Sequence, residues 1–203
     1  MHPLQIAVIM TTTTTEKTAA ITAAAEAVII KTNFLKKTGI FVGENMEFDV
    51  RRAQTCDLDA IKLLLEQVLE IHHKGRPDIF RGGCRKYTDE ELTGLISDDS
   101  CPIFVAVDNN EKVVGYCFCV FKQQLDSHIL TDIKTLYIDD LCVDENARSQ
   151  GIGKLIFNYV KSFAKEQGCY NLTLNVWACN ESALKFYQKM GLEVQKQEME
   201  ALL

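Results

Sequence analysis

Proline is scarce in this 203-residue chain, at three residues, and eleven glycines are too few to build a long flexible linker. The length fits one domain more readily than two. No window approaches the roughly 18 continuous apolar residues that a membrane-spanning helix needs, so no membrane partner is expected. The run Ile6-Ala7-Val8-Ile9-Met10 has no basic segment before it and does not read as a secretory signal, which makes the cytoplasm the expected location. An excess of positive charge is also missing, with 22 Lys and Arg against 28 Asp and Glu. Phosphate neutralisation needs a basic surface, so no nucleic-acid partner is expected, while a net charge of -6 mildly favours cationic substrates such as amines. No two of the eight cysteines have C-x-x-C spacing, which removes the zinc-knuckle and redox-motif readings, and no metal is expected. The thiols are expected to be buried and unpaired, with Cys117 and Cys119 on one face of a strand.

What is present divides unevenly. Residues 1–45 hold the run Thr11 to Thr15, an Ala/Thr-rich stretch and four lysines against three glutamates. They are expected to form an N-terminal extension, poorly ordered or partly helical over Glu16 to Lys37, ahead of a domain spanning 46–203. Within that domain Glu47 to Ala53 alternates as a strand. Leu58, Ile61, Leu64, Leu65, Val68 and Ile71 then recur at helical spacing up to Gly75 and Pro77. Thr88-Asp89-Glu90-Glu91 is a capping box opening a second helix. Strands are expected at Ile103–Val107, Val113–Phe121 and Thr135–Val143, and a helix from Gly151 to Gln167 stopped by Gly168. A strand from Asn171 to Trp177, a helix from Glu181 to Lys189 and a strand from Leu192 to Met199 complete the chain. The order β-α-α-β-β-β-α-β-α-β predicts an α/β domain with a mixed sheet.

Between a strand and a helix lies Arg148-Ser149-Gln150-Gly151-Ile152-Gly153-Lys154. Glycines here let the backbone turn sharply and aim several N–H groups at one spot. The helix N-terminus adds partial positive charge, giving an anion site suited to a pyrophosphate. A Walker loop would need Gly at 148 and Ser or Thr at 155, where Arg148 and Leu155 stand. A dinucleotide fingerprint would need Gly at 156, where Ile156 stands. What remains is R-x-x-G-x-G.

One strand later comes Asn180-Glu181-Ser182-Ala183-Leu184-Lys185-Phe186-Tyr187-Gln188-Lys189-Met190-Gly191-Leu192. Asn180 can cap the helix, Ala183 and Phe186 would pack inward, and Gly191 supplies the terminating turn. Together the two motifs resemble the paired signatures of the GNAT superfamily of N-acetyltransferases, R-x-x-G-x-G and N-x-x-A-x-x-F-Y-x-x-x-G-[FL]. The resemblance covers about residues 47–200 and is most specific over 137–192.

The resemblance implies a mixed, mostly antiparallel sheet flanked by helices, and acetyl-coenzyme A as acyl donor. It implies that the sheet splays between the strand ending at Val143 and the one ending at Trp177, and that the pantetheine arm lies in the gap. Backbone groups of Leu141, Cys142 and Val143 would hold that arm. The turn from Arg148 through Ser149, Gln150, Gly151, Ile152, Gly153 and Lys154 would hold the pyrophosphate, and Asn180 borders the cofactor. Tyr187 would protonate or hydrogen-bond the departing thiolate; from a free phenol the proton transfer is uphill by about 2 kcal/mol.

An alkylamine must lose a proton before it attacks, at a cost of about 4.6 kcal/mol at pH 7. Asp139 and Asp140 are the candidate proton acceptors. Neighbours on a strand face opposite ways, so at most one of them is expected to point into the site. By resemblance Asp139 takes the position of a Glu in polyamine and glucosamine-phosphate acetyltransferases, through a bridging water because its side chain is shorter. Asn175 stands where enzymes that acetylate a ribosomal protein's N-terminus carry Glu. His72 and His73, near Arg76 to Phe80, would border the acceptor pocket. The expected activity is acetyl transfer to a primary amine of a small molecule. Acetylation of a protein lysine or N-terminus, and a non-catalytic acyl-coenzyme A-binding module, are the alternatives. A homodimer through the exposed last strand is implied by resemblance alone.

Overall fold

In a computed structural model of the chain, the described residues are 47–203, so the expectations for residues 1–45 lie outside them. Among the described residues the sheet has five strands in the order of the chain: β1 (Asp49–Arg52), β2 (Ile103–Val107), β3 (Val113–Lys122), β4 (Thr135–Val143) and β5 (Asn171–Leu174). The first three pairings are antiparallel, and β4 pairs with β5 in parallel. Among the described residues four helices flank the sheet: α1 (Leu58–Gly75), α2 (Asp89–Ser97), α3 (Ile152–Glu166) and α4 (Glu181–Lys189).

The helices form where the sequence supplies an apolar stripe and a cap. Ile61, Leu64 and Leu65 bury the inner face of α1, and a single 3-10 turn at Thr55–Asp57 leads into it. At the start of α2 the capping box is complete: Thr88 Oγ1 accepts from the Glu91 N–H at 3.2 Å, and Glu91 Oε2 accepts from the Thr88 N–H at 2.8 Å. Two apolar layers result. On one face Val50, Phe104, Leu136 and Ile138 pack against Ile152, Ile156, Phe157 and Val160 of α3. On the other, Val105, Tyr116, Phe118 and Cys142 pack against α1 and α2. Gly115 allows the close approach of β3 to its neighbours, because a Cβ there would stand 2.8 Å from the Cys142 carbonyl oxygen and 2.9 Å from Ile156 Cδ1.

Two expected elements differ. The strand expected from Asn171 to Trp177 stops at Leu174, because its partner on β4 stops offering a ladder at Ile138. The strand expected over Leu192 to Met199 is absent. Its alternation rests on Leu192 and Val194 alone and runs into Gln195-Lys196-Gln197-Glu198, so it has no continuous apolar face to bury. Val194 and Met199 are exposed. Glu200 instead ties this segment to the end of α1, accepting two hydrogen bonds of 2.8 Å from the Arg76 guanidinium. The strand expected to pair with a second copy therefore has no counterpart.

All eight thiols are free, as expected, but only Cys117, Cys119 and Cys142 are buried. Cys56, Cys84 and Cys179 are exposed, since they fall on a turn, a loop and the approach to α4 rather than on sheet faces.

Candidate active site

The site forms where the sheet opens. Pairing between β4 and β5 runs from Thr135 with Asn171 to Ile138 with Leu174 and then ends. From Asp139 to Val143, β4 keeps β3 on one side and, among the described residues, has no strand on the other. The opening coincides with a bulge. On β3, Phe118 faces Asp140 and Cys119 faces Ile138, which leaves Asp139 as the extra residue. A bulge sharpens the local twist and reverses the side-chain alternation beyond it. Leu136 and Ile138 accordingly join the α3 layer, whereas Cys142 lies in the α1–α2 layer.

The bulge overturns the expectation that only one of the two aspartates points into the site. Both carboxylates reach the Lys86 ammonium, Asp139 Oδ2 at 3.1 Å and Asp140 Oδ2 at 3.6 Å. Asp140 is the more enclosed, its side chain 10% exposed against 37% for Asp139. It also accepts a hydrogen bond of 3.1 Å from the hydroxyl of the fully buried Tyr116. Burial raises the Asp140 pKa above the ordinary carboxylate value, and Lys86, Tyr116 and His72 only partly offset it. Burial alone would lower the Lys86 pKa, but Asp140 and Asp139 outweigh it and the net direction is up.

Of the residues expected to hold the pantetheine arm, Leu141 and Val143 are partly buried against the α3 layer. Cys142 turns its thiol the other way, toward the Leu64 carbonyl at 3.6 Å, and burial pushes that thiol up to about 12. Only its backbone is available on the opening.

At the start of α3 the backbone turns sharply. Ser149 and Gly151 both adopt left-handed conformations, φ 65° and 82°, on either side of Gln150. The first helical hydrogen bond of α3 runs from the Leu155 N–H to the Gly151 carbonyl at 3.0 Å. The N–H groups of Ile152, Gly153 and Lys154 precede it and have no helical acceptor, as at any helix start. Ile152 is buried as an anchor, Lys154 is exposed, and Arg148 reaches back to the Val143 carbonyl through Nε at 3.2 Å. At Gly153 a Cβ would touch the Phe186 ring at 3.5 Å and Val143 Cγ2 at 3.7 Å, so α3, β4 and α4 meet there.

Asn180 caps α4 as expected, its Oδ1 accepting from the Ala183 N–H at 3.1 Å. Phe186 and Tyr187 pack against Phe157 of α3, at ring separations of 6.4 and 6.3 Å. Among the described residues nothing hydrogen-bonds the Tyr187 hydroxyl. Burial raises its pKa well above that of a free phenol, with Cys117, Asp140 and Cys119 adding to the effect. The phenol is thus neutral and close enough to Asp140 to feel its charge.

Sequence reasoning missed Lys86, Tyr116 and the aromatic contact across the opening. His72 lies 4.9 Å from the Phe80 ring, and Phe80 meets Trp177 edge-on at 5.1 Å, linking the end of α1 to the segment after β5. His73 donates from Nδ1 to the Phe80 carbonyl at 2.7 Å, which fixes the turn. His72 is held below the usual histidine pKa by burial, partly countered by Asp140, so of the two histidines it is the one beside the acid pair.

Residues 65–192 match the acetyltransferase (GNAT) family. The peptidyl-lysine N-acetyltransferase YjaB of Salmonella typhimurium is 31% identical over 151 residues, 73% of this chain and 86% of its own length. Glucosamine 6-phosphate N-acetyltransferase 1 of Dictyostelium discoideum is 29% identical over 113 residues, 53% of this chain and 69% of that protein. A solved structure, of a tetramutant of the BH1408 protein from Bacillus halodurans, matches with a TM-score of 0.73 at 35% identity, covering 76% of this chain and 99% of the other. The chain belongs to the acetyltransferase (GNAT) family and is an N-acetyltransferase that draws its acetyl group from acetyl-coenzyme A.

Proposed function

We propose that the acceptor is a primary amine of a small molecule and that transfer is by direct attack on the thioester at the β4–β5 opening. The observation that supports transfer at this place is the grouping of three features along one opening, the N–H cradle of α3, the edge of β4 and the acid pair at the bulge, while the net charge of -6 favours a cationic amine as acceptor. In this reading the N–H groups of Gln150 to Lys154 hold the pyrophosphate, with Arg148, Ser149 and Asn180 bordering it. The exposed backbone of Leu141 to Val143 holds the pantetheine arm and polarises the thioester carbonyl. Asp140, raised in pKa and poised beside a cation, accepts the proton of the acceptor ammonium, and Asp139 helps to seat that ammonium. The neutral phenol of Tyr187 donates a hydrogen bond to the departing sulfur; its raised pKa disfavours full proton transfer.

A second reading, acetylation of a protein lysine, is favoured by one observation: the group seated on the acid pair is itself a lysine side chain. Turnover on a panel of small amines, set against a panel of lysine-containing peptides, separates the two. Turnover confined to peptides overturns the small-molecule proposal.

A further inference from the structure

The acid pair at the bulge already holds an amine. Lys86 belongs to residues 76–88, which contain no helix or strand, and its ammonium crosses to β4 from a position 53 residues away in sequence. The neighbouring Tyr87 ring stacks on Phe118 at 6.0 Å and anchors the backbone there. The Lys86 Nζ lies 5.3 Å from the Tyr87 ring centroid and 6.0 Å from that of Phe118, so two aromatic faces and two carboxylates surround it. Other ion-paired lysines among the described residues, Lys62, Lys74 and Lys185, pair with acids on α1, α2 or α4, away from the bulge. The Lys86 side chain remains 37% exposed, so it is held without being sealed in.

We infer that Lys86 is an acetyl acceptor of its own active site, so that the protein acetylates itself at this residue. The inference rests on the reading of Asp139 and Asp140 as the proton-accepting pair of an acetyl-transfer site. The Lys86 ammonium gives one proton to the Asp140 carboxylate, and its nitrogen lone pair attacks the acetyl carbon of acetyl-coenzyme A. A C–N bond forms and the C–S bond breaks. The second proton lost by the nitrogen leaves with the sulfur, so the products are N-acetyl-Lys86 and free coenzyme A. The amide carries no charge. It no longer pairs with the two carboxylates and leaves them open to an incoming cationic acceptor.

The test incubates the purified full-length protein with isotopically labelled acetyl-coenzyme A and follows acetylation of individual lysines by peptide mass spectrometry. Calorimetric binding of acetyl-coenzyme A and turnover of n-butylamine are measured in parallel. Lys86 is expected to react about a hundredfold faster than exposed Lys161 or Lys189, the order that a positioned proton acceptor contributes. Its rate constant should not depend on protein concentration. Lys86→Arg keeps the charge and should lose the modification while retaining acetyl-coenzyme A binding, and Asp140→Asn should erase the preference for Lys86. Labelling no faster than at Lys161 and Lys189, or a rate that rises with protein concentration, overturns the inference. If the wild type binds acetyl-coenzyme A and acetylates n-butylamine while Lys86 stays unlabelled, self-acetylation falls and the proposed function stands. If it does neither and Lys86 is unlabelled, both fall.

Discussion

Asp139 and Asp140 are adjacent on β4, yet their carboxylates converge on the same Lys86 ammonium, at 3.1 and 3.6 Å. The bulge between them and β3 makes this possible, and it leaves the two acids in unequal surroundings. Asp140 has the buried carboxylate and the Tyr116 hydrogen bond, so its removal should cost the more. Asp140→Asn is expected to lower kcat/KM by about a hundredfold or more, and Asp139→Asn by less. A carboxylate accepts a proton only when ionised, so the wild-type rate should rise with pH through the Asp140 pKa. Burial, with Asp139 adding to it, places that rise above the ordinary carboxylate range against the opposing pull of Lys86, Tyr116 and His72. The pH profile of kcat/KM for the Asn variant should lack this limb. An unchanged limb would assign the proton acceptor elsewhere.

Tyr187 offers a cleaner separation of chemistry from stability. Its ring packs on Phe157 and Phe186, whereas its hydroxyl makes no hydrogen bond among the described residues. Tyr187→Phe keeps the packing and abandons no internal bond, so the melting temperature should move by no more than about 2 °C. Catalysis should fall by about a hundredfold in kcat if the phenol steadies the charge on the leaving sulfur. A loss of stability without a loss of turnover would make the residue structural only.

Gly151 sits at φ 82°, where an L side chain is strained, and it is the N-cap of α3. Gly151→Ala should cost about 1–2 kcal/mol through backbone strain alone. Gly151→Glu adds a carboxylate where the pyrophosphate is proposed to sit. Calorimetric titration with acetyl-coenzyme A should then show binding weakened by well over tenfold beyond the Ala variant. Equal binding by the two would move the pyrophosphate away from this turn.

Much of this architecture was legible because it is local. The stripe of α1, the Thr88–Glu91 capping box, the glycines before α3 and the Asn180 cap all act within one or two turns of the chain. The bulge at Asp139 was not legible, since no Gly or Pro marks it and it exists only as a mismatch with the register of β3. Lys86 was invisible for a related reason: its partners lie 53 and 54 residues away, reached from a segment with no periodicity of its own. The missing strand after Leu192 shows the reverse error, a short alternation credited with a face that its polar run cannot supply.

Away from the site, Arg51 and Asp57 hold the start of the domain together. The guanidinium meets the carboxylate at 2.7 and 2.9 Å, and Asp57 also accepts the Gln54 N–H at 2.8 Å, closing the turn that leads into α1. Asp57 is 4% exposed, and burial pushes its pKa up, but Arg51 and the Gln54 N–H more than offset this and the net shift is down. A carboxyl whose folded pKa lies below its unfolded value of about 3.9 contributes its full stability above that value. The contribution is lost as pH falls through the folded pKa. Asp57→Ala is expected to destabilise the protein by about 3 kcal/mol at neutral pH, because it leaves the Arg51 guanidinium without its bidentate partner. Denaturant unfolding measured from pH 7 down to about pH 2 should show the gap between wild type and variant narrow below about pH 4, as the ionised carboxylate's share of the contribution is lost. A constant gap across that range would mean that the ion pair is not what the carboxylate contributes.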